Sequence, residues 1–130
     1  MKIAVVGSRT FNNAQLFCTT LNQYHQQGLE LISGGANGAD NFAYQYAGYY
    51  KIPITLYLPN FTTVKYTAET GYPILQKIKW AHKGAALQRN TTIVQNSDLV
   101  IAFWDGTSHG TADTIKKAEQ LGKQVIKIMF

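Results

Sequence analysis

Apolar residues along this chain fall into two alternating rhythms: short unbroken runs, and longer stretches in which they recur every third or fourth position. The first run, Ile3-Ala4-Val5-Val6, has β-branched members and stops at Gly7, as expected of a strand covered on both faces. From Asn12 or Asn13, either a good N-cap, Ala14, Phe17/Cys18, Leu21 and Tyr24/His25 follow at helical spacing until Gly28. Leu29 to Ser33 reads as a second strand. Residues 38–50 read as a helix with Ala39, Phe42/Ala43, Tyr46/Ala47 and Tyr50 inward, and Pro53 to Leu58 as a third strand.

Residues 59–72 carry no period and read as a lid or binding loop, with disorder as the alternative. Pro73 opens a helix that takes in Ile74, Leu75 and Ile78, and Gly84 either breaks it or precedes a second helix from about Ala85 to Asn96. Leu99 to Phe103 is a fourth strand. Gly110 to Leu121 is a helix with Ile115, Ala118 and Leu121 inward and Gly122 as its stop, and Gln124 to Met129 is a closing strand. This succession predicts an α/β fold, a Rossmann-like three-layer sandwich with a mainly parallel five-stranded sheet, formed as one domain over residues 1–130.

Composition narrows the setting more than the function. The lone Cys18 cannot form an internal disulfide and reads as a small core residue of the first helix in a reducing compartment. The apolar start is too short for a signal peptide, and no run approaches the roughly 20 residues of a membrane span. The expectation is a soluble, cytoplasmic protein. A net charge of +5 suits an anionic partner without naming it. Lys65, Lys77, Lys79, Lys83 and Arg89 cluster with only Glu69 against them, while Lys116, Lys117, Lys123 and Lys127 lie near the end; a solvated lysine face explains most of these.

The candidate chemistry lies in three turns that the topology puts on one rim. Ligands of an open parallel sheet bind beyond the carboxyl ends of its strands. Strand one ends in Gly7-Ser8-Arg9-Thr10-Phe11, strand two in Ser33-Gly34-Gly35-Ala36-Asn37-Gly38-Ala39-Asp40, and strand four in Trp104-Asp105-Gly106-Thr107-Ser108-His109-Gly110-Thr111. Glycines 34, 35 and 38 allow positive φ and a close backbone approach, and the helix beyond them aims its N–H groups and positive dipole end at the same spot: a phosphate cradle. Its G-G-x-x-G spacing matches neither common phosphate loop.

Asp40, in the first turn of that helix, suits a ribose hydroxyl, or else only complements the helix dipole. Ser108, Gly110 and Thr111 repeat the arrangement for a second anionic group. Arg9 is placed for a phosphate or a base, and Arg89-Asn90 for the same pocket or for a surface pair on a helix. Phe11 and Trp104 suit stacking on a purine or core packing, and Asp105 suits a hydroxyl, a metal or its own turn. His25, His82 and His109 show no ligand spacing, so no metal and no cofactor are assigned. Four tyrosines at 44, 46, 49 and 50 exceed what one buried helix face uses and predict a homo-oligomer interface.

Taken together, Gly7-Ser8-Arg9-Thr10-Phe11, Ser33-Gly34-Gly35-Ala36-x-Gly38-Ala39-Asp40, Trp80 with Arg89-Asn90, and Phe103-Trp104-Asp105-Gly106-x-Ser108-x-Gly110-Thr111 resemble the YspA/YpsA-related branch of the SLOG superfamily across almost the whole chain. That superfamily is Rossmann-like and includes the lonely-guy phosphoribohydrolases, the DNA-processing protein Smf and ligand-sensing domains. The resemblance implies a pocket for a nucleotide or nucleotide derivative. On this chain it implicates Gly7, Ser8 and Arg9, the Ser33 to Asp40 turn, Arg89 and Asn90, and Ser108 to Thr111.

The resemblance does not imply one activity. The phosphoribohydrolase pattern has a glutamate three residues after the Gly-Thr threonine; here that position is Thr114, and Asp113 lies one residue short, a rotation of about 100° on a helix. Nucleotide binding by a sensor or ligand-processing domain is therefore the first expectation. N-glycosidic cleavage, with Asp40, Asp105 or Asp113 as the candidate catalytic carboxylate, is the second. Single-stranded DNA binding through the basic, tyrosine-rich stretches is the third.

Overall fold

A computed structural model describes residues 1–58, 60–75 and 85–130. Its elements run β1 (Lys2–Gly7), α1 (Ala14–Asn22), β2 (Glu30–Ser33), α2 (Ala39–Tyr50), β3 (Ile54–Tyr57), β4 (Thr63–Tyr66), α3 (Ala85–Gln95), β5 (Leu99–Trp104), α4 (His109–Gln120) and β6 (Gln124–Met129). One six-stranded sheet in the order β4-β3-β2-β1-β5-β6 holds them together, parallel except for β4, which pairs antiparallel with β3.

Alternation along each strand divides the core into two layers. Ile3, Val5, Ile101 and Phe103 point to a cluster with Phe17 and Leu21 of α1 and with Ala39, Ala43 and Ala47 of α2. Ala4, Val6, Val100 and Ala102 point the other way, to Ile93 and Val94 of α3 and Ile115 and Ala118 of α4. Because both faces are covered, the strands read as continuous apolar runs. Right-handed crossovers explain the pairing of helices: β1, β2 and β3 extend the sheet in one direction with α1 and α2 on one face, and β5 and β6 extend it in the other with α3 and α4 opposite. The order reverses between β1 and β5, and their carboxyl ends open a crevice there.

The sheet has six strands where five were expected. The additional strand, β4, lies in the stretch read as a loop. Four residues with two side chains half-buried and two exposed are too short to declare a period, and the pairing of Thr55 with Lys65 and Leu56 with Val64 comes from β3 rather than from local pattern. Helix α1 ends at Asn22, short of Gly28. Tyr24 and His25 donate to the Leu21 and Asn22 carbonyls in tight turns, and the Tyr46 hydroxyl, donating to Asn22 Oδ1 at 2.7 Å and lying 3.2 Å from His25 Nδ1, secures the segment.

Cys18, expected in the core, is exposed, because the inward face of α1 is set by Phe17, Thr20 and Leu21. Leu121, expected inward, is half exposed just beyond the end of α4. The helix expected from Pro73 does not include residues 73–75, and its continuation through Ile78 to Gly84, with Trp80, His82, Lys77, Lys79 and Lys83, lies outside the described residues. No helix among the described residues is long and apolar enough to cross a membrane.

Candidate functional site

At the reversal point a cavity of about 500 Å³ opens between the turns after β1 and β5. Gly7, Ser8, Arg9 and Thr10 form one side; Asp105, Ser108, Gly110, Thr111 and Thr114 form another; Ala36 and Asp40 close the β2 end, and Leu87, Arg89, Asn90 and Ile93 of α3 lie across it. Buried Ser8 ties the β1 and β5 ends together: its N–H donates to the Phe103 carbonyl at 2.9 Å, and its Oγ accepts from the Asp105 N–H at 3.3 Å. Arg9, next in the chain, is thereby set at the rim, exposed.

The turn after β5 is shaped by its own side chains. Asp105 Oδ1 accepts from the Thr107 and Ser108 N–H groups at 2.9 and 2.8 Å, which hold the carboxyl below its ordinary range. The Trp104 indole N–H donates to the Ser108 carbonyl at 3.0 Å. Those bonds start α4 at His109 with Ser108 as N-cap and no capping side chain. A Cβ on Gly110 would meet nothing within 4 Å. The helix therefore presents its N-terminal N–H groups and dipole to the cavity beside the Ser108 and Thr111 hydroxyls, which are 3.4 Å apart.

The glycine turn after β2, which resembles a cradle as a sequence, is closed by the rest of the chain. A Cβ on Gly38 would overlap the Ser8 carbonyl oxygen and come within 2.8 Å of the Arg9 carbonyl, so the start of α2 abuts the β1 turn. At Gly34 the space for a Cβ is taken by Arg89, whose Cζ would be 2.6 Å away, and Arg89 Nη1 donates to the Gly34 carbonyl at 3.1 Å. Gly35, at φ +74°, backs onto Leu58. The anion inside this turn is the protein's own: Asp40, buried at 5% exposure, accepts from the Ala36 N–H at 3.1 Å. Burial pushes its carboxyl up, against the opposing pull of Arg89 and of hydrogen bonds from Ala36, Ser33 and Gly34. Burial in turn lowers Arg89 from its ordinary value, Asp40 raises it and Arg9 lowers it.

The structure thus brings Gly7, Ser8, Arg9, Ala36, Asp40, Asp105, Arg89, Asn90, Ser108, Gly110 and Thr111 to one cavity. Ser33, Gly34, Gly35, Gly38 and Trp104 do not line it. Ser33 instead bridges β2 to β1 by donating to the Val5 carbonyl at 2.9 Å, and Trp104 packs on the α3/α4 core layer. Phe11 is core: its ring lies 4.7 Å from that of Phe103 and 5.5 Å from that of Phe42.

Asp113 points between helices, accepting from Asn90 Nδ2 at 3.1 Å and pairing with Lys117 at 2.9 Å. Thr114, at the position of the phosphoribohydrolase glutamate, is buried and donates to the Gly110 carbonyl at 3.1 Å. Of the three carboxylate candidates only Asp40 and Asp105 line the cavity, and both are engaged by backbone N–H groups. Leu87 and Ile93, missed in the sequence, supply its apolar wall; two apolar residues of an amphipathic helix give no local signal that they face a site.

A doubly wound sheet with a polar cavity at its reversal point defines the class: a Rossmann-like domain. Residues 1–63, just under half of the chain, match the YspA, cpYpsA-related SLOG family. No curated protein matches its sequence. DNA processing protein A from Helicobacter pylori, described for its single-stranded DNA binding mode, is similar in structure with a TM-score of 0.73 at 22% identity, over 98% of this chain and 64% of that one. DNA processing protein A (DprA) from Streptococcus pneumoniae gives 0.74 at 21%, over 97% and 49%. TM1055, a structural-genomics target, gives 0.61 at 20%, over 95% and 71%. These likenesses show the fold. The chain spans about two thirds of the first of these proteins and half of the second.

Proposed function

We propose that residues 1–130 form a nucleotide-binding sensor or ligand-processing domain whose ligand lies in the cavity between β1 and β5, its phosphoryl group at the start of α4. The observation that carries this reading is the convergence on one cavity of an uncapped helix N-terminus, the Ser108 and Thr111 hydroxyls and the exposed Arg9. A phosphate there receives backbone N–H groups and a guanidinium together. Asp105, half-buried and lining the same space, is the acceptor for a sugar hydroxyl, and Leu87 with Ile93 gives the base an apolar wall. The match of residues 1–63 to the YspA, cpYpsA-related SLOG family and the size of the cavity, within the range of small-ligand sites, support the same reading.

The test is thermal unfolding against adenosine, AMP, ADP-ribose, NAD and short single-stranded DNA, with each mixture chromatographed afterwards. A ligand at 100 times its Kd adds roughly 2.7 kcal/mol. Binding should disappear in Gly110→Asp, which puts a carboxylate into open space at the start of α4; retained binding would end the model. Appearance of free base would make the domain a hydrolase, which the engaged carboxylates disfavour.

The likeness to a DNA processing protein with a single-stranded DNA binding mode supports a second reading, in which the anion on Arg9 is a strand backbone. It predicts affinity that falls steeply with salt. On the opposite face, Tyr49 at 80% exposure, Tyr50 and Ile74 line a groove of about 900 Å³, which favours a homo-oligomer; a strictly monomeric mass in solution would remove that assignment.

A further inference from the structure

Helix α3 brings Leu87, Asn90 and Ile93 to the cavity, each one turn from the next, so a single amide stands in the middle of an aliphatic stripe. Asn90 is only 4% exposed. Both protons of its amide are committed, since Nδ2 donates to the Gly110 carbonyl at 3.2 Å and to Asp113 Oδ2 at 3.1 Å. Those two acceptors also fix which end of the amide is which, because the reverse orientation would set its oxygen against a carbonyl and a carboxylate. Asp113 is itself held by Lys117 at 2.9 Å, so the amide is braced from between the helices. Oδ1 is the end left over. Among the described residues none donates to it, and it is not sealed into the core, which leaves it bordering the cavity that Asn90 lines. A buried carbonyl oxygen without a protein donor takes its hydrogen bond from a ligand, or from water that a ligand replaces.

We propose that Asn90 is the specificity-determining residue of the cavity, and that its Oδ1 accepts a hydrogen bond from the exocyclic amino group of a nucleobase lying against Leu87 and Ile93. The proposal rests on the reading of the cavity as a nucleotide site, and not on where the phosphoryl group lies. The flanking side chains decide for base over sugar. A base is a flat, largely apolar ring with its polar groups at the edge, whereas a sugar carries hydroxyls around its ring and would set some of them against Leu87 or Ile93 without partners. Because Oδ1 only accepts, it separates a base that offers an N–H from one that offers a carbonyl oxygen or nothing, and leaving a buried acceptor unmatched is where such discrimination comes from.

The experiment is calorimetric titration with three matched pairs, each differing at one amino group: AMP and purine riboside 5′-monophosphate, GMP and IMP, CMP and UMP. It is repeated on Asn90→Leu, a change of similar volume in which Thr114 still donates to the Gly110 carbonyl and Lys117 still pairs with Asp113. In at least one pair the amino-bearing member should bind the wild type about tenfold or more tightly than its partner, and in Asn90→Leu that pair should come within about threefold, through loss of the amino-bearing member. A purely structural role for Asn90 would weaken both members alike and keep their ratio. All three pairs within about threefold on the wild type, or a ratio that survives in the variant, overturns the assignment to Asn90 while leaving the site. Failure of all six nucleotides to bind removes the nucleotide reading and the proposal together. Should Asn90→Leu fail to fold, the wild type decides with the preferred nucleotide dimethylated on its amino nitrogen: having no N–H to give, it should bind no better than the partner lacking the amino group, and retained affinity overturns the proposal.

Discussion

Two turns of this chain look alike as sequence and end up doing opposite things. Each leads from the carboxyl end of a strand through glycine into a helix, with an aspartate nearby: Ser33 to Asp40 before α2, and Asp105 to Thr111 before α4. The first has more glycines and looks like the better anion cradle. Yet its glycines make room for the chain itself, Gly38 for the backbone after β1 and Gly34 for Arg89, and its dipole end is answered by Asp40. In the second, Asp105 binds the N–H groups before the helix rather than those within its first turn, so the α4 start faces the cavity. A glycine is evidence of close approach. What approaches can be protein as readily as ligand.

Paired alanine substitutions break or sharpen this contrast most strongly. Gly38→Ala forces a Cβ onto the Ser8 carbonyl at φ +73° and should cost about 3 kcal/mol, roughly 10 °C in Tm for a domain of this size. Gly110→Ala should be neutral or stabilise by up to about 1 kcal/mol, since a helical glycine with open surroundings gains propensity. Equal losses from the two in thermal unfolding would mean that the turns are not distinguished as described. The binding counterpart is Gly110→Asp, expected to lose about 100-fold in nucleotide affinity, roughly 2.7 kcal/mol, with Tm held or raised by the favourable first-turn carboxylate.

Next in size is Arg89→Met, which leaves buried Asp40 without its opposing charge and should cost about 2 kcal/mol in urea unfolding at neutral pH. Its pH dependence sharpens the point. Burial raises Asp40 above its ordinary 3.8, so the folded state holds that proton more tightly than the unfolded chain does. The resulting destabilisation is absent below about 3.8 and grows as pH rises through the folded value. Asp40→Asn should therefore gain on the wild type in urea midpoint between pH 4 and pH 7, and Arg89→Met should lose over the same interval more than the wild type does. A pH-independent difference between Asp40→Asn and the wild type would place that carboxyl outside the buried setting.

The smallest effect is expected on the sheet edge, away from both turns. Lys65→Ala removes the 2.8 Å pair that lowers the Glu30 carboxyl, but Lys65 is exposed and Glu30 only half-buried, and the change should cost less than about 0.5 kcal/mol and fade with salt.

Much of the fold was legible because its signals are local. β1, β5 and β6 announce themselves as apolar runs. Helix α2 buries Ala39, Ala43, Tyr46 and Ala47 and α4 buries Ile115 and Ala118 at the expected spacing, whereas Tyr50 and Leu121, expected inward, are exposed at the helix ends, and Gly7, Ser8, Arg9, Ser108, Gly110 and Thr111 meet in one cavity. The missing strand, β4, has no such signal: with half its side chains exposed, it exists because β3 offers an edge. The core role of Phe11 and the inter-helix role of Asp113 were equally open in the sequence, since aromatics and carboxylates in rim turns suit both ligand and protein.

By itself, the sequence determined the alternation of elements, the burial of the sheet on both faces and the collection of Gly7, Ser8, Arg9, Ser108, Gly110 and Thr111 on one rim. Periodicity, caps and glycine turns act over a few residues and follow from backbone sterics and apolar burial. Only the tertiary structure decided which glycine turn faces outward. That depends on Arg89, 55 positions from the Gly34 carbonyl it binds, and on the β1 turn lying across Gly38. Packing fills a space with whichever groups the topology delivers to it, and that delivery is not written in either turn.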